Sequence, residues 1–180
     1  MEEHPFSFFI PEHPKSLILG SFPCRNTNDY GSWFYCGSGK NLLWPILSEL
    51  YNMPVASRSE METLLVKHKI AIGDIYTSVK RRKPGCNDSD LYDCVFNHQG
   101  IEECVRKGVT RILCTSKYVA ERCVKELPHL EEMIITLPSP SPSGSRPIGR
   151  SEHYKELRLN GTVNNTKEYR LLSYRDAFKM

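Results

Sequence analysis

The sequence has no long hydrophobic run, and its first residues do not have the pattern of a secretory signal. No stretch approaches the 18 or more apolar residues that a membrane-spanning helix requires. The N-terminus, Met1-Glu2-Glu3-His4-Pro5, lacks the basic and then apolar profile of a signal peptide. We therefore expect a cytoplasmic or nuclear protein that does not associate with membranes.

The sequence also has no C-x-x-C pair, although it contains seven cysteines. An odd, scattered set of this kind predicts neither a disulfide framework nor a zinc or iron–sulfur site. We expect free thiols that mostly fill the core, and no metal or other cofactor. The cysteines are Cys24, Cys36, Cys86, Cys94, Cys104, Cys114 and Cys123.

The sequence has only a small excess of positive charge. It contains 24 Lys and Arg and 21 Asp and Glu, which gives a net charge of +3. This balance permits nucleic-acid binding without requiring it. The 180 residues, 39% of them hydrophobic, can bury a substantial core. No repeat or change of composition marks a boundary, so residues 1–180 are expected to form one domain.

Apolar segments with the periodicities of strands and helices alternate along the chain. Strands are predicted at residues 16–20, 70–75, 110–114 and 133–137, and the last helix at residues 167–178. The Ser59-Glu-Met-Glu62 sequence has the form of a capping box that starts a helix. The alternation predicts an α/β fold, with a mainly parallel four-stranded sheet between two layers of helices.

Three long loops, at residues 21–40, 76–93 and 138–151, each follow a predicted strand. The carboxyl ends of parallel strands lie at one edge of a sheet, where ligands bind. We therefore expect the three loops to converge on one site.

The third loop has four prolines and five serines in fourteen residues. Such a stiff, hydroxyl-rich loop can contact a nucleic-acid backbone, although an ordinary proline-rich surface turn has the same composition. The second loop carries a basic run, either a phosphate-binding patch or a solvated edge. The candidate DNA-binding residues in the two loops are Ser139, Pro140, Ser141, Ser143, Arg146, Lys80, Arg81 and Arg82.

The first loop combines aromatic and amide side chains. Its aromatic residues can stack on a base or anchor the loop in the core, and we expect two of Trp33, Phe34 and Tyr35 to be anchors. Asn26, Asn28 and Asn41 can bind a base edge or a water. A phosphate-loop motif that contains Gly39 and Lys40 is excluded. It would need glycine at position 34 and Ser or Thr at position 41, where this sequence has Phe34 and Asn41.

Four segments together resemble the uracil-DNA glycosylase superfamily, and most closely its hypoxanthine-DNA (deoxyinosine) glycosylase branch. The segments are Leu17-Ile-Leu-Gly-Ser-Phe-Pro23, Phe34-Tyr-Cys-Gly-Ser-Gly-Lys-Asn-Leu-Leu-Trp-Pro-Ile-Leu47, Ile72-Gly-Asp-Ile75 and Leu137-Pro-Ser-Pro-Ser-Pro142. They match the motifs in order and spacing over about residues 16 to 145.

The resemblance implies roles for particular residues. Asn41 would position the attacking water, and Ser21 would be a second catalytic residue. The loop with Ser139, Pro140 and Ser141 would press on the DNA. The residues implied to bind the extruded nucleotide are Gly20, Phe22, Pro23, Tyr35 and Asp74.

The chain departs from the uracil-specific enzymes at two positions. They carry an Asp in the first motif and a His at the start of the last loop, where this chain has Ser21-Phe-Pro-Cys24 and Leu137. Among nearby carboxylates, Asp29 is the candidate to substitute for the missing Asp.

The resemblance therefore implies a monofunctional DNA N-glycosylase of base excision repair, a monomer that acts on damaged DNA without a cofactor. It would hydrolyse the N-glycosidic bond of hypoxanthine, uracil or xanthine flipped out of the stack. Two alternatives stay open: a non-catalytic reader of damaged or single-stranded nucleic acid, and a protein that acts on free nucleosides or another small ligand. The glycosylase requires Asn41 and Ser139 to face each other across one cleft.

Overall fold

The computed structural model describes residues 1–25 and 29–179. Asn26 and Asn28, both proposed to bind a base edge, lie outside the described residues. The strands are β1 Glu2–Glu3, β2 Ser16–Gly20, β3 Ile70–Asp74, β4 Tyr76–Arg81, β5 Leu91–Phe96, β6 Arg111–Cys114 and β7 Ile134–Thr136. The helices are α1 Leu43–Tyr51, α2 Arg58–His68, α3 His98–Arg106, α4 Lys117–Glu126, α5 Ser145–Arg150, α6 Glu152–Leu159 and α7 Thr166–Lys179. In the described ranges, no helix has the length and apolar character needed to cross a membrane.

A four-stranded parallel sheet forms the centre of the molecule, as the sequence predicts. Its strand order is β3-β2-β6-β7. Side chains alternate between the two faces of a strand, so both faces of this apolar sheet must be covered. Leu17 and Leu19 pack in the cluster with α3 and α4, whereas Ile18 packs in the cluster with α1, α2 and α7. The predicted arrangement of three layers is therefore confirmed.

The predicted second loop is largely a β-hairpin, which corrects the sequence prediction. β4 and β5 pair antiparallel, and β1 pairs antiparallel with the other edge of β4 to complete a second sheet. Register shifts occur between Tyr76 and Ser78 and between Ser78 and Lys80. These irregularities, together with a polar turn, explain why the segment lacks a simple alternating pattern.

The third loop is also more ordered than predicted. Pro142–Gly144 forms a 3₁₀ turn, and α5 follows directly. The buried guanidinium of Arg170 holds the loop from α7, because its Nε donates to the carbonyl oxygen of Ser139 at 2.6 Å and its Nη2 to that of Ser141 at 3.1 Å. Hydrogen bonds to a buried charge therefore fix this loop in addition to its prolines.

A disulfide bond joins Cys24 to Cys86, so the expectation that all cysteines are free is wrong for these two. The first loop and the hairpin turn run side by side here, since the Arg25 N–H donates to the Gly85 carbonyl oxygen at 3.3 Å. The Cα atoms of Cys24 and Cys86 lie 4.4 Å apart, within the range for disulfides. Cysteines 62 residues apart give no sequence signal for this contact. The expectation of core thiols is confirmed for Cys104, Cys114 and Cys123.

The capping box of α2 lies two residues earlier than predicted. Ser57 accepts from the Glu60 N–H at 3.3 Å, and the Glu60 carboxylate accepts from the Ser57 N–H at 3.0 Å. Ser59, the predicted cap, lies inside the helix. Both serines have a glutamate three residues later, so the motif alone does not choose between them.

We expect Ser57→Ala to lower the free energy of unfolding by about 1 kcal/mol, because the Glu60 N–H loses the Ser57 hydroxyl as its acceptor. Ser59→Ala is the matched control and should change stability by less than about 0.5 kcal/mol. Urea denaturation of both variants measures the difference. A larger loss for Ser59→Ala would contradict the observed helix start.

Candidate functional site

A cavity of about 100 Å³ lies at the carboxyl edge of the parallel sheet. Gly20 ends β2, Asp74 ends β3, Thr115 follows β6, and the loop after β7 supplies Ser139, all of which line the cavity. The register explains this convergence, because Gly20 pairs with Asp74 and Leu19 with Cys114. The site thus lies where the sequence predicts a ligand to bind.

Most of the predicted site residues line this one cavity. The predicted catalytic residues there are Asn41 and Ser21, and the predicted nucleotide-binding residues there are Gly20, Phe22, Pro23, Tyr35 and Asp74. From the predicted DNA-binding set, Ser139, Pro140 and Ser141 line it as well. The cavity therefore brings together residues that are spread along the sequence from Gly20 to Ser141.

Asn41 lies directly beside the serine–proline loop. Its Oδ1 accepts from the Leu43 N–H at 2.9 Å at the start of α1, and the neighbouring Leu42 N–H donates to the Pro140 carbonyl oxygen at 2.9 Å. The first bond identifies which atom of the amide is the oxygen. Asn41 and Ser139 both line the cavity, and the amide nitrogen of Asn41 is left to serve as a donor.

The three consecutive aromatic residues divide as expected. Trp33 and Phe34 are each 1% exposed in the core, whereas Tyr35 lines the cavity. The Thr115 hydroxyl donates to the Leu19 carbonyl oxygen at 3.1 Å, so the Tyr35 hydroxyl donates to Thr115 Oγ1, also at 3.1 Å. Burial raises the pKa of Tyr35 well above its usual value, and the nearby Asp74 carboxylate raises it further. Tyr35 therefore presents a neutral ring to the site.

Asp74 is held by a histidine from the N-terminal segment, which the sequence did not indicate. His4 Nδ1 accepts from the Phe6 N–H at 3.0 Å, so the proton lies on Nε2, which donates to Asp74 Oδ2 at 2.9 Å. The two side chains are 9% and 6% exposed. No sequence pattern connects residues 70 positions apart. The pairing of β1 with β4 and the bridge between Phe9 and Ile72 bring them together.

Asp88, in the 3₁₀ turn Asp88–Asp90, is a second carboxylate in the cavity. The Ser21 hydroxyl donates to Asp88 Oδ1 at 2.5 Å. Burial raises the pKa of Asp88, while the hydrogen bond from Ser21 lowers it and the Asp74 carboxylate raises it. The sequence offered a partial signal, since Asp88 lies in one of the three loops predicted to converge.

Asp29, the carboxylate suggested by the sequence, is not among the described residues that line the cavity. Its side chain is exposed, and its Oδ1 accepts from the Gly31 N–H at 2.8 Å. The hydrogen bond of Asp29 is local to its own turn, whereas the carboxylates that line the cavity among the described residues are Asp74 and Asp88.

The basic run does not act as one patch. Arg81 is 4% exposed, donates to the carbonyl oxygens of Gly85 at 2.6 Å and Pro23 at 2.9 Å, and pairs with Glu2. This placement contradicts the predicted phosphate contact for Arg81, since its donors are occupied inside the protein. Lys80 and Arg82 are exposed, and Lys80 pairs with Asp93 at 2.9 Å.

The remaining predicted DNA contacts lie outside the cavity. Ser143 and Arg146 are exposed on the 3₁₀ turn and on α5, beyond the cavity-lining part of the loop. The Ser143 and Ser141 hydroxyls are 2.9 Å apart. DNA binding by Lys80, Arg82, Ser143 and Arg146 stays a prediction. Residues 1–25 and 29–179 contain no group of three or more His, Cys, Asp or Glu side chains that could hold a metal ion.

Gly20 is required by the close approach of two side chains. A Cβ atom placed there would lie 2.5 Å from the Tyr35 hydroxyl and closer still to Asp74 Oδ1. No real Cβ contact is this short, so any larger residue would displace groups that line the cavity.

We expect Gly20→Ala to lower the free energy of unfolding by about 1–3 kcal/mol through overpacking. Gly149→Ala is the control, because its Cβ would meet nothing within 4 Å and alanine favours helix α5. Urea denaturation compares the two variants. Wild-type stability of Gly20→Ala would show that this edge of the cavity is loosely packed.

Comparison with solved structures places the fold. No family model matches this sequence, and no curated protein matches it. The solution NMR structure of a putative uracil DNA glycosylase from Methanosarcina acetivorans matches with a TM-score of 0.63, 21% identity and 100% coverage of both chains. At 21% identity, the match shows a shared architecture and does not show a shared activity. This chain therefore has the same α/β/α fold as that protein, with both chains covered in full.

Proposed function

We propose that this protein is a DNA N-glycosylase that hydrolyses the N-glycosidic bond of a deaminated base flipped out of DNA. The observation that carries the proposal is the cavity in which the four motif segments meet, with Gly20, Asn41, Asp74 and Ser139 on its walls. Unrelated functions use α/β folds, so this site, and not the fold alone, supports the reaction.

The charge of the cavity fits this chemistry. Among the described lining residues, those with ionisable acidic or basic side chains, apart from Tyr35 and the disulfide cysteines, are Asp74 and Asp88. Cleavage of the N-glycosidic bond develops positive charge on the sugar, which carboxylates stabilise. The same carboxylates would repel a phosphate, so the lining opposes a site for a free nucleotide's phosphate.

In this reaction, the residues around the cavity have different roles. Asn41 holds the attacking water through its side-chain amide, and the ring of Tyr35 and the backbone at Gly20 and Phe22 shape the base pocket. The serine–proline loop, fixed by Arg170, contacts the DNA backbone at the edge of the cavity. A rigid loop of this kind loses little entropy on binding.

The proposal is tested with duplexes that each contain one uracil, hypoxanthine or xanthine, incubated with the protein and then treated with hot alkali. Strand breakage at the lesion identifies a glycosylase. Retention of the duplex without breakage supports a non-catalytic reader, and the absence of both supports the small-ligand alternative. Either of these last two results would overturn the proposal.

We expect Asn41→Ala to slow cleavage about 10²- to 10³-fold while the lesion duplex is still bound, because one fixed polar group at the reacting water is lost. Asn97→Ala is the matched control. Asn97 also accepts from a helix N-terminal N–H, that of Gly100 at 3.0 Å, and lies outside the cavity. Single-turnover rates and melting temperatures of both variants are compared. Equal rates for the two would refute the role of Asn41.

A further inference from the structure

We propose that Asp88 is a catalytic residue of this site, the carboxylate that accepts a proton from the attacking water, and that Ser21 positions it. The inference rests on the proposed glycosylase function. It adds a residue from the β4–β5 hairpin, a segment outside all four motifs, and it gives Ser21 a specific task. The chain thus supplies from a distant turn the carboxylate that its first motif lacks.

The geometry brings Asp88 to the motif position from a separate element. Ser21 Oγ and Asp88 Oδ1 are 2.5 Å apart, and both residues line the cavity together with Asn41. A carboxylate has two oxygens, so this bond leaves Oδ2 to accept from a water in the cavity. The Ser21 hydroxyl therefore orients the carboxylate without occupying it fully.

The turn that carries Asp88 is fastened on two sides. Cys86, two residues earlier, is bonded to Cys24 of the first loop. The Arg81 guanidinium donates to the carbonyl oxygen of Gly85 in the turn and to that of Pro23 in the loop. These crosslinks fix Asp88 relative to Ser21 before any substrate binds, as a catalytic group requires.

Asp88 is better placed for proton transfer than Asp74. Asp74 receives the His4 hydrogen bond on Oδ2, and its Oδ1 lies against Gly20, so both oxygens are enclosed. Asp74 is 5% exposed, whereas Asp88 is only partly buried. Asp74 is therefore less accessible than Asp88 to a water in the cavity.

Charged and titratable groups face Asp88 from each neighbouring element. They are Asp74 of β3 with its partner His4, Arg81 of β4 with its partner Glu2, and Cys94 of β5. Burial and the Asp74 charge raise the pKa of Asp88, while Ser21 and Arg81 lower it, and the result lies above the usual value for Asp. A raised pKa makes a carboxylate a stronger base.

The reaction balances without a further reagent. The water oxygen forms a bond to C1′ of the sugar, and the N-glycosidic bond breaks with its electron pair going to the base. The water proton passes to Asp88 and then to the released base, which regenerates the carboxylate. One water is consumed, and nothing is oxidised or reduced.

The test compares single-turnover cleavage across pH for the wild type, Asp88→Asn, Ser21→Ala and Asp90→Asn. The wild-type rate should fall at low pH as Asp88 becomes protonated. Asp88→Asn should lower the rate about 10²- to 10⁴-fold and abolish that acidic limb, with lesion binding retained. Ser21→Ala should move the limb to higher pH, because the carboxylate loses a hydrogen bond that favours its charged form. Asp90→Asn, in the same turn but outside the cavity, should behave like the wild type.

The outcomes separate this inference from the proposed function. If the wild type cleaves a lesion and Asp88→Asn cleaves it equally fast with the same acidic limb, the Asp88 assignment is wrong while the glycosylase function stands. If the wild type cleaves no lesion, both proposals fail. Melting temperatures identify a variant that does not fold. Should Asp88→Asn be that variant, the pH limb of Ser21→Ala decides, and an unmoved limb overturns the assignment.

Discussion

The parallel register of β2 against β3 and β6 is the constraint on which the site depends. It sets Gly20 beside Asp74, and β6 ends one residue before Thr115 at the same edge. Because the strands are parallel, every segment that leaves them starts from that edge. A slip of one residue would turn Ile18 and Leu19 to the wrong helical layers and separate Gly20 from Asp74. The core packing that selects the register therefore also assembles the cavity.

The elements that bury regular apolar patterns could be predicted from the sequence. Strand β2, with all five residues buried, and helix α7, with Tyr174 in the core, lie within a residue or so of their expected positions. Their periodicity reports burial directly. The irregular hairpin β4–β5 was missed because its register shifts break the alternation. The capping box of α2 was misplaced because two serines offer the same motif.

The candidate site was predictable where it is built from motif residues on strand ends, and not where it depends on long-range polar contacts. Asn41 and Ser139 line the same cavity, as the resemblance implies. His4, Asp88 and Arg170 act through hydrogen bonds with partners in the cavity walls that lie 29 to 70 residues away in sequence. Of these, Arg170 lies on the inward face of α7 with Tyr174, four residues later. In the sequence, an arginine at such a position interrupts the apolar pattern of the helix and does not predict burial. The burial of Arg170 is explained by its acceptors, which are the carbonyl oxygens of Ser139 and Ser141 together with groups of Ser145 and Thr166.

The polar groups around the cavity follow one electrostatic logic. The side chains of Arg81 and Arg170 are buried and do not line the cavity, because their donors bind the backbone carbonyls of Pro23, Gly85, Ser139 and Ser141. They stiffen the walls, and the two carboxylates supply the charge inside. Two carboxylates in a cavity favour a cationic group over a bound anion. In the proposed function, phosphate binding would therefore fall to exposed side chains at the edge. The same separation explains why the basic run in the sequence does not locate a phosphate-binding patch. Arg81 makes the most hydrogen bonds in that run, and its side chain is buried.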